Sequence, residues 1–387
     1  MVQDDIRNFI MLIGIDARMY RSSVAGIGRY SQNLIKNLLE IDSENQYILF
    51  MTSADAEEYQ KGLLKASLKY QNDNVKIKIV DIPHFTLAEQ TKLPKILERE
   101  KLDLMHFLNF NYPVSYKGKF ITTIHDLTLL FYPETAKKTN FIKKNAFRFV
   151  MKKACQNSAK IIAVSESTKK DIIKTFKINS EKIKVIYEAS DDKTFAQTTK
   201  EDLERLKEKY NLKTPVILTV GQFRPHKNLP ALVEAFSKLR KEIPSKLVIL
   251  GKPDSKHTRL YEAIDKDKVK NDILLPGFVD NKELALWYKI ASVFVFPSLY
   301  EGFGLPGLEA MMVGTPVVAS NQSSLPEIYQ DAALYFDPFN LEDISAKIKE
   351  VMTDKNLRDK LIQNGLRVSR QYSWKKTAEE TLKLYGG

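Results

Sequence analysis

Short apolar runs alternate with longer amphipathic stretches along most of the chain. Met11–Ile15, Tyr47–Met51, Val75–Val80, Asp103–Phe107, Phe120–Ile124, Lys160–Val164 and Lys184–Tyr187 are brief and rich in β-branched and aromatic residues, which predicts strands. Segments of helical period lie between several of them, such as Tyr30–Leu39 and Leu87–Leu97. Such alternation predicts a parallel, doubly wound sheet. The rhythm breaks between Glu188 and Thr214, where a turn-like stretch around Asp191 and Asp192 precedes a highly charged helix at Asp202–Tyr210. It then resumes with strands expected at Val216–Val220, Lys246–Leu250, Ile273–Leu275, Val293–Pro297, Pro316–Ala319 and Ala333–Phe336. The pattern therefore predicts an α/β protein of two tandem Rossmann-like domains facing across a cleft, residues 1–190 and 213–371, joined by a linker at 191–212. A last helix, Trp374–Leu384, within residues 372–387, would pack back across the cleft.

The most informative segment follows the Val293–Pro297 run. It sets Glu301 in a glycine-rich turn and Glu309 on a helix expected at Leu305–Val313, so two carboxylates belong to one strand-turn-helix unit. In an open α/β sheet ligands bind at the carboxyl ends of the strands, and the following helix aims its free N–H groups and positive dipole end into the same crevice. Glu309 is surrounded by Leu308, Ala310, Met311 and Met312, and a buried carboxylate needs partners. Sugar hydroxyls are suitable ones, because an ionised carboxylate accepts two vicinal hydroxyls. The alternative is a loop charge and a solvated helix charge.

Three other loops carry candidate chemistry. Gly26 and Gly28 lie between the first strand and the first long helix, where glycines let backbone N–H groups approach a phosphate; a tight turn capping a loop explains them equally. Arg224 and Lys227 project from the loop after Val216–Val220, beside a helix that Asn228 would cap and Pro230 would open. An arginine fork and a lysine point charge there suit a diphosphate, against the plainer reading of a solvated basic loop. His125 ends the Phe120–Ile124 strand, and its neighbour Asp126 would orient it or bias its charge; His106, inside an apolar strand, reads as structural.

Composition narrows the partners. The chain has 387 residues and a net charge of +12, and residues 1–190 hold 30 of its 60 Lys and Arg but only 21 of its 48 Asp and Glu. A basic first half suits an anionic partner such as a nucleotide, a phosphorylated lipid carrier, a membrane surface or a nucleic acid. Lys137–Lys153 mixes basic and apolar residues at roughly helical spacing, as a helix lying on an anionic membrane or one simply packed on the sheet would. Cys155 is the sole cysteine, so no intrachain disulfide forms and a reducing, cytoplasmic setting is expected. The acidic start and the short apolar run Phe9–Ile15 match neither a signal peptide nor a membrane span. Neither a metal site nor a cofactor is expected, since no Asp-x-Asp ends a strand and the five histidines are scattered.

Taken together, Gly26 to Gly28, His125 and Asp126, Val164 to Ser167, Gly221 to Lys227, and Glu301 to Gly304 with Glu309 eight positions after Glu301 resemble, in the same order, the retaining nucleotide-sugar glycosyltransferases of the two-Rossmann (GT-B) type. This is the group 1, family 4 class, typified by bacterial mannosyltransferases, and the carboxylate pair matches its E-x7-E motif. The resemblance implies that residues 1–190 take the acceptor and 213–371 the donor. Glu301 would contact the donor sugar and Glu309 the nucleotide ribose, while backbone groups of Gly302, Phe303, Gly304 and Leu305 line the sugar and phosphate site. Arg224 and Lys227 would hold the diphosphate, the Gly26–Gly28 loop would close over it, His125 would lie near the anomeric carbon, and Gly277 and Phe278 would meet the base. The family's Pro-Asn-Gly turn is replaced by Tyr187, Glu188 and Ala189, so no role is carried onto that segment.

The expected activity is transfer of a hexose, with mannose from GDP-mannose as the choice of donor, to a saccharide or lipid-linked acceptor in surface polysaccharide synthesis, peripheral contact with an anionic membrane included. Positioning and electrostatics without a metal ion would carry it. A nucleotide-sugar epimerase or a phosphorylase on the same architecture is the alternative. A basic nucleic-acid-binding protein would leave both carboxylates and the glycine loops idle.

Overall fold

A computed structural model describes residues 10–21, 26–65, 74–135, 141–190, 198–252 and 258–386. The first sheet has seven strands, β1 (Leu12–Asp16), β2 (Gln46–Met51), β3 (Val75–Ile79), β4 (Leu104–Phe107), β5 (Phe120–Ile124), β6 (Lys160–Ala163) and β7 (Ile183–Val185), in the order β3-β2-β1-β4-β5-β6-β7. The second has six, β8 (Val216–Val220), β9 (Lys246–Leu250), β10 (Ile273–Gly277), β11 (Val293–Phe296), β12 (Val317–Ser320) and β13 (Ala333–Phe336), in the order β10-β9-β8-β11-β12-β13. Each strand pair is parallel. The centre of each sheet is covered on both faces, which is why β11 reads as an unbroken apolar run and β8 as one interrupted only by Thr219, with Ile217, Leu218, Val293, Phe294 and Val295 fully buried. Each such side chain contributes roughly 1.5–3 kcal/mol through burial.

Strand order reverses between β1 and β4, and again between β8 and β11. At such a reversal neighbouring loops diverge and leave a crevice beyond the carboxyl ends of the strands. The loops carrying Lys227 and Glu301 follow β8 and β11, so they flank the reversal in the second sheet.

Three local readings need correction. The helix expected from Tyr30 begins at Gly26 and runs to Ile41, so Gly26 and Gly28 form its first turn instead of a loop before it. Leu87–Leu97 is two helices, Leu87–Thr91 and Leu93–Arg99, because Pro94 cannot continue the first and instead opens the second. Asn228 is no side-chain cap: it adopts a left-handed conformation (φ 53°), and its amide donates to the Pro338 carbonyl at 2.9 Å. Asp191 and Asp192 lie outside the described residues, as does the start of the basic stretch before the Phe141–Asn157 helix.

The final helix, Trp374–Gly386, packs on the first helix, Gly26–Ile41. Tyr30 meets Trp374 edge-on at 5.8 Å, and the Tyr385 hydroxyl hydrogen-bonds His106 Nδ1 at 2.7 Å. His106 Nε2 pairs with Thr123, and burial, with the nearby His125 charge, pushes its pKa down to about 3. It is a neutral structural link between the first sheet and the chain's last helix.

Candidate active site

Glu301 is held by its own backbone. Its carbonyl accepts the hydroxyls of Ser323 (2.6 Å) and Ser324 (3.0 Å), which fixes the turn after β11. Gly304 then takes φ +105°, and a Cβ there would lie 2.6 Å from the Tyr329 hydroxyl. Only glycine meets both demands. The Leu305–Met312 helix starts at the next residue, with Pro306 in its first turn.

Lys227 reaches the Glu301 carboxylate across the β8/β11 reversal, Nζ to Oε1 at 2.5 Å, and both side chains are largely buried. The two loops are joined by their backbones as well, since Leu299 N–H donates to the His226 carbonyl at 2.7 Å. Arg224 donates from Nε to Gln222 at 2.9 Å and is half-buried beside them. A carboxylate, a lysine and a helix N-terminus therefore share one crevice.

Glu309 is 3% exposed, and its partners are protein groups. Tyr288 donates its hydroxyl to Oε2 at 2.8 Å, and Arg29 of the first domain pairs with Oε1. Burial and the adjacent carboxylate raise the Tyr288 pKa well above its ordinary value, which keeps the phenol a donor. Arg29 also donates to Asn281 at 3.1 Å. The Gly26–Gly28 turn thus faces Glu309 through the residue directly after it. Gly28 is needed for a different close approach, within the first domain, because a Cβ would sit 2.1 Å from the Arg21 carbonyl oxygen.

His125 sits at the seam between the domains. Its carbonyl lies against Gly302 so closely that a Cβ on Gly302 would be 1.9 Å from that oxygen. Ser165 ties the same point from the first domain, donating to the Gly302 carbonyl at 2.7 Å. The imidazole turns the other way: Nε2 bonds the Leu108 carbonyl at 2.9 Å, Nδ1 bonds Glu188 at 2.8 Å, and Tyr30 stacks edge-on at 4.7 Å. Burial disfavours the charged ring, but the hydrogen bond and charge of Glu188 outweigh it and raise the pKa. Asp126 adds a smaller electrostatic contribution, while its carboxylate accepts the Thr128 N–H at 2.7 Å. The orienting carboxylate is therefore Glu188, in the segment to which the sequence reading gave no role.

Gly277 (φ +84°) ends β10, and Phe278 is 79% exposed. Gly251, absent from the sequence reading, joins the two glycine turns: its N–H donates to the Gly277 carbonyl at 2.9 Å, and a Cβ on it would lie 1.9 Å from the Gly221 carbonyl oxygen. Its signal was available, a glycine directly after an apolar strand, as with Gly221. Arg29 and Tyr288 had a weaker one, the need of a buried carboxylate for a cation and a donor.

Two family models divide the chain. "Glycosyltransferase Family 4" matches residues 24–193 and "Glycosyl transferases group 1" matches residues 200–368. The chain is 29% identical over 373 residues to the O-antigen chain mannosyltransferase B of Escherichia coli, covering 94% of this chain and 96% of that protein. It is 31% identical over 268 residues to the serotype-specific mannosyltransferase WbdA of Escherichia coli, covering 67% of this chain but 32% of that longer protein. The sucrose-phosphate synthase of Thermosynechococcus elongatus superposes with a TM-score of 0.77 at 20% identity, over 97% of this chain and 98% of that one, which shows the shared fold. With both halves matched and both sheets wound alike, the chain belongs to the group 1 glycosyltransferases of GT-B fold.

Proposed function

We propose that the protein transfers mannose from GDP-mannose, with retention at the anomeric carbon, to a saccharide or lipid-linked acceptor in O-antigen-type polysaccharide assembly. The observation that carries this reading is the Lys227–Glu301 pair at 2.5 Å, in the crevice where the Leu305–Met312 helix begins. Donor binding would exchange that pair for two better matched ones: diphosphate on Lys227, Arg224 and the helix N-terminus, and sugar hydroxyls on Glu301. Glu309 would accept the ribose hydroxyls as Arg29 moves aside. The mannosyltransferase relatives support the choice of sugar. Without an evident covalent nucleophile, the leaving phosphate would depart and the acceptor attack on one face, the phosphate taking the acceptor proton. Lys227, Arg224 and the helix dipole would stabilise the leaving group without a metal ion.

The test is transfer from GDP-mannose in the presence and absence of EDTA, with the product anomer read by NMR. Glu309→Ala is expected to weaken donor binding, and Glu301→Ala to cut kcat by about 100-fold or more. Normal turnover in both variants would overturn the site, an inverted product the stereochemistry, and a rate abolished by EDTA the metal independence.

The acceptor side has a surface suited to an anionic membrane. The Phe141–Asn157 helix carries Lys143, Lys144, Arg148, Lys152 and Lys153 with no acidic residue, and Phe149 on it is 52% exposed. Among the described residues no helix is long and apolar enough to cross a membrane. Sedimentation with phosphatidylglycerol vesicles, lost in Phe149→Ser or at high salt, tests peripheral contact.

A further inference from the structure

The strongest unassigned feature is a buried ion pair at the domain seam. Glu188 is 5% exposed, and its carboxylate is 2.8 Å from His125 Nδ1. The other ring nitrogen, Nε2, meets the Leu108 carbonyl at 2.9 Å. A carbonyl only accepts, so Nε2 must carry a hydrogen; an ionised carboxylate only accepts, so Nδ1 must carry one too. With an ionised Glu188 the hydrogen-bond pattern is that of an imidazolium. The pair lies at the seam, because the His125 carbonyl is packed against Gly302, next to Glu301.

We propose that Glu188 is a positioning residue for glycosyl transfer, holding His125 as a fixed imidazolium at the edge of the first domain beside the Glu301–Gly302 turn. The inference rests on the donor site proposed above. The charged ring donates both of its hydrogens, to Glu188 and to the Leu108 carbonyl, which fixes the His125 backbone, whose own carbonyl lies against Gly302 beside Glu301. A histidine at its ordinary pKa would be mostly neutral above about pH 7 and would lose this effect. Glu188 prevents that loss and, through its bond to Nδ1 together with the Leu108 carbonyl on Nε2, also prevents the imidazole from swinging into the crevice as a base.

The surroundings agree with this assignment. Around the ring stand Glu188, Asp126, the neutral His106 and the edge of Tyr30, so the acidic neighbours outnumber the cations. The far side of Glu188 borders a small cavity shared with Tyr187, Tyr372, Lys376, Thr377 and Glu380. Lys376 and Glu380 there are charges of opposite sign on the last helix. Tyr187 is anchored on both flanks, its carbonyl accepting the Thr377 hydroxyl at 2.7 Å and its ring meeting that of Phe303 at 6.2 Å. The carboxylate is thus held from the segment that leaves the first domain, where a glycine-rich turn would have provided no charge.

The experiment uses the full chain, with His125 assigned in 15N spectra by its loss in His125→Gln. In the wild type both ring nitrogens are expected to remain protonated from about pH 6 to 8, whereas in Glu188→Gln the ring, still buried but without its carboxylate, is expected to titrate below its ordinary pKa of about 6.5. With GDP-mannose, Glu188→Gln is expected to lower kcat at about pH 8 by roughly 10- to 100-fold. The donor KM is expected to stay within about twofold, and kcat to acquire a new alkaline limb. Glu188→Asp, which keeps the charge, restores the imidazolium and part of kcat. A neutral His125 in the wild type at pH 7 overturns the proposal, as does a Glu188→Gln enzyme with unchanged kcat and pH profile. A pH-independent loss matched by an equal rise in KM also overturns it, because that is the mark of a merely structural role. Failure of the wild type to transfer any sugar overturns the donor-site reading instead, while the 15N spectrum still decides whether the pair exists.

Discussion

His125 was expected at the crevice with Asp126 orienting it or biasing its charge; Asp126 does bias the charge, while the partners that orient the ring depend on directions that a linear sequence does not contain. The ring's hydrogen bonds go to Leu108 and Glu188, at the ends of other strands. The consequence for stability has a definite sign. A histidine whose folded pKa lies above the unfolded value near 6.5 contributes stability that is fully present below about pH 6.5 and is lost as pH rises through the folded pKa. Glu188→Gln should therefore destabilise the protein most at acidic to neutral pH, by about 3 kcal/mol for a broken buried pair, and progressively less in alkali. Urea unfolding of both proteins from pH 5.5 to 9 measures the difference, which should shrink with pH. A pH-independent gap would mean that the ring is not charged. Glu309 teaches a related lesson: its burial was legible from its apolar neighbours, but its partners Arg29 and Tyr288 come from other helices, the first of them in the other domain.

At the scale of elements, period and punctuation were legible because they are local. Phe120–Ile124, Lys246–Leu250 and Ala333–Phe336 appear with the limits that their apolar runs predict. Errors fell where one residue acts on the backbone more strongly than the pattern does, as Pro94 does in splitting a helix, or where glycine begins a helix, as at Gly26. Gly302 belongs to neither class, since its need for a missing Cβ comes from the opposite domain. Gly302→Ala should force the Glu301 turn away from His125 by more than an ångström, given a Cβ-to-oxygen distance of 1.9 Å. We expect the variant to fold, to show a larger radius of gyration in small-angle scattering, and to lose most transfer activity. An unchanged radius of gyration with full activity would contradict the close His125–Gly302 contact.

At the scale of the molecule, polar contacts join the two domains beside aromatic ones such as Tyr187–Phe303 and Phe131–Tyr300. Glu327 of the second domain accepts the N–H groups of Glu166 (2.7 Å) and Ser167 (2.9 Å), capping the Glu166–Phe176 helix of the first, where dipole and free donors favour a carboxylate. Tyr300 reaches Asp171 at 2.7 Å and accepts the Leu127 N–H at 3.2 Å. Glu327→Ala should cost about 1 kcal/mol of closure, visible as a several-fold rise in donor KM with little change in the melting of either domain. A loss of kcat with KM unchanged would place Glu327 in the chemistry instead. The sequence by itself determined the alternation of strand and helix, the two sheets, and the loops that bear Glu301, Lys227 and Arg224, because these follow from periodicity and from residues that act on their own backbone. Only the tertiary structure decided that Glu188 holds His125, that Arg29 occupies Glu309, and that Gly302 must admit a carbonyl. Those depend on which strand ends meet across the seam, and residues as far apart in sequence as Arg29 and Glu309 become neighbours only after both sheets have formed.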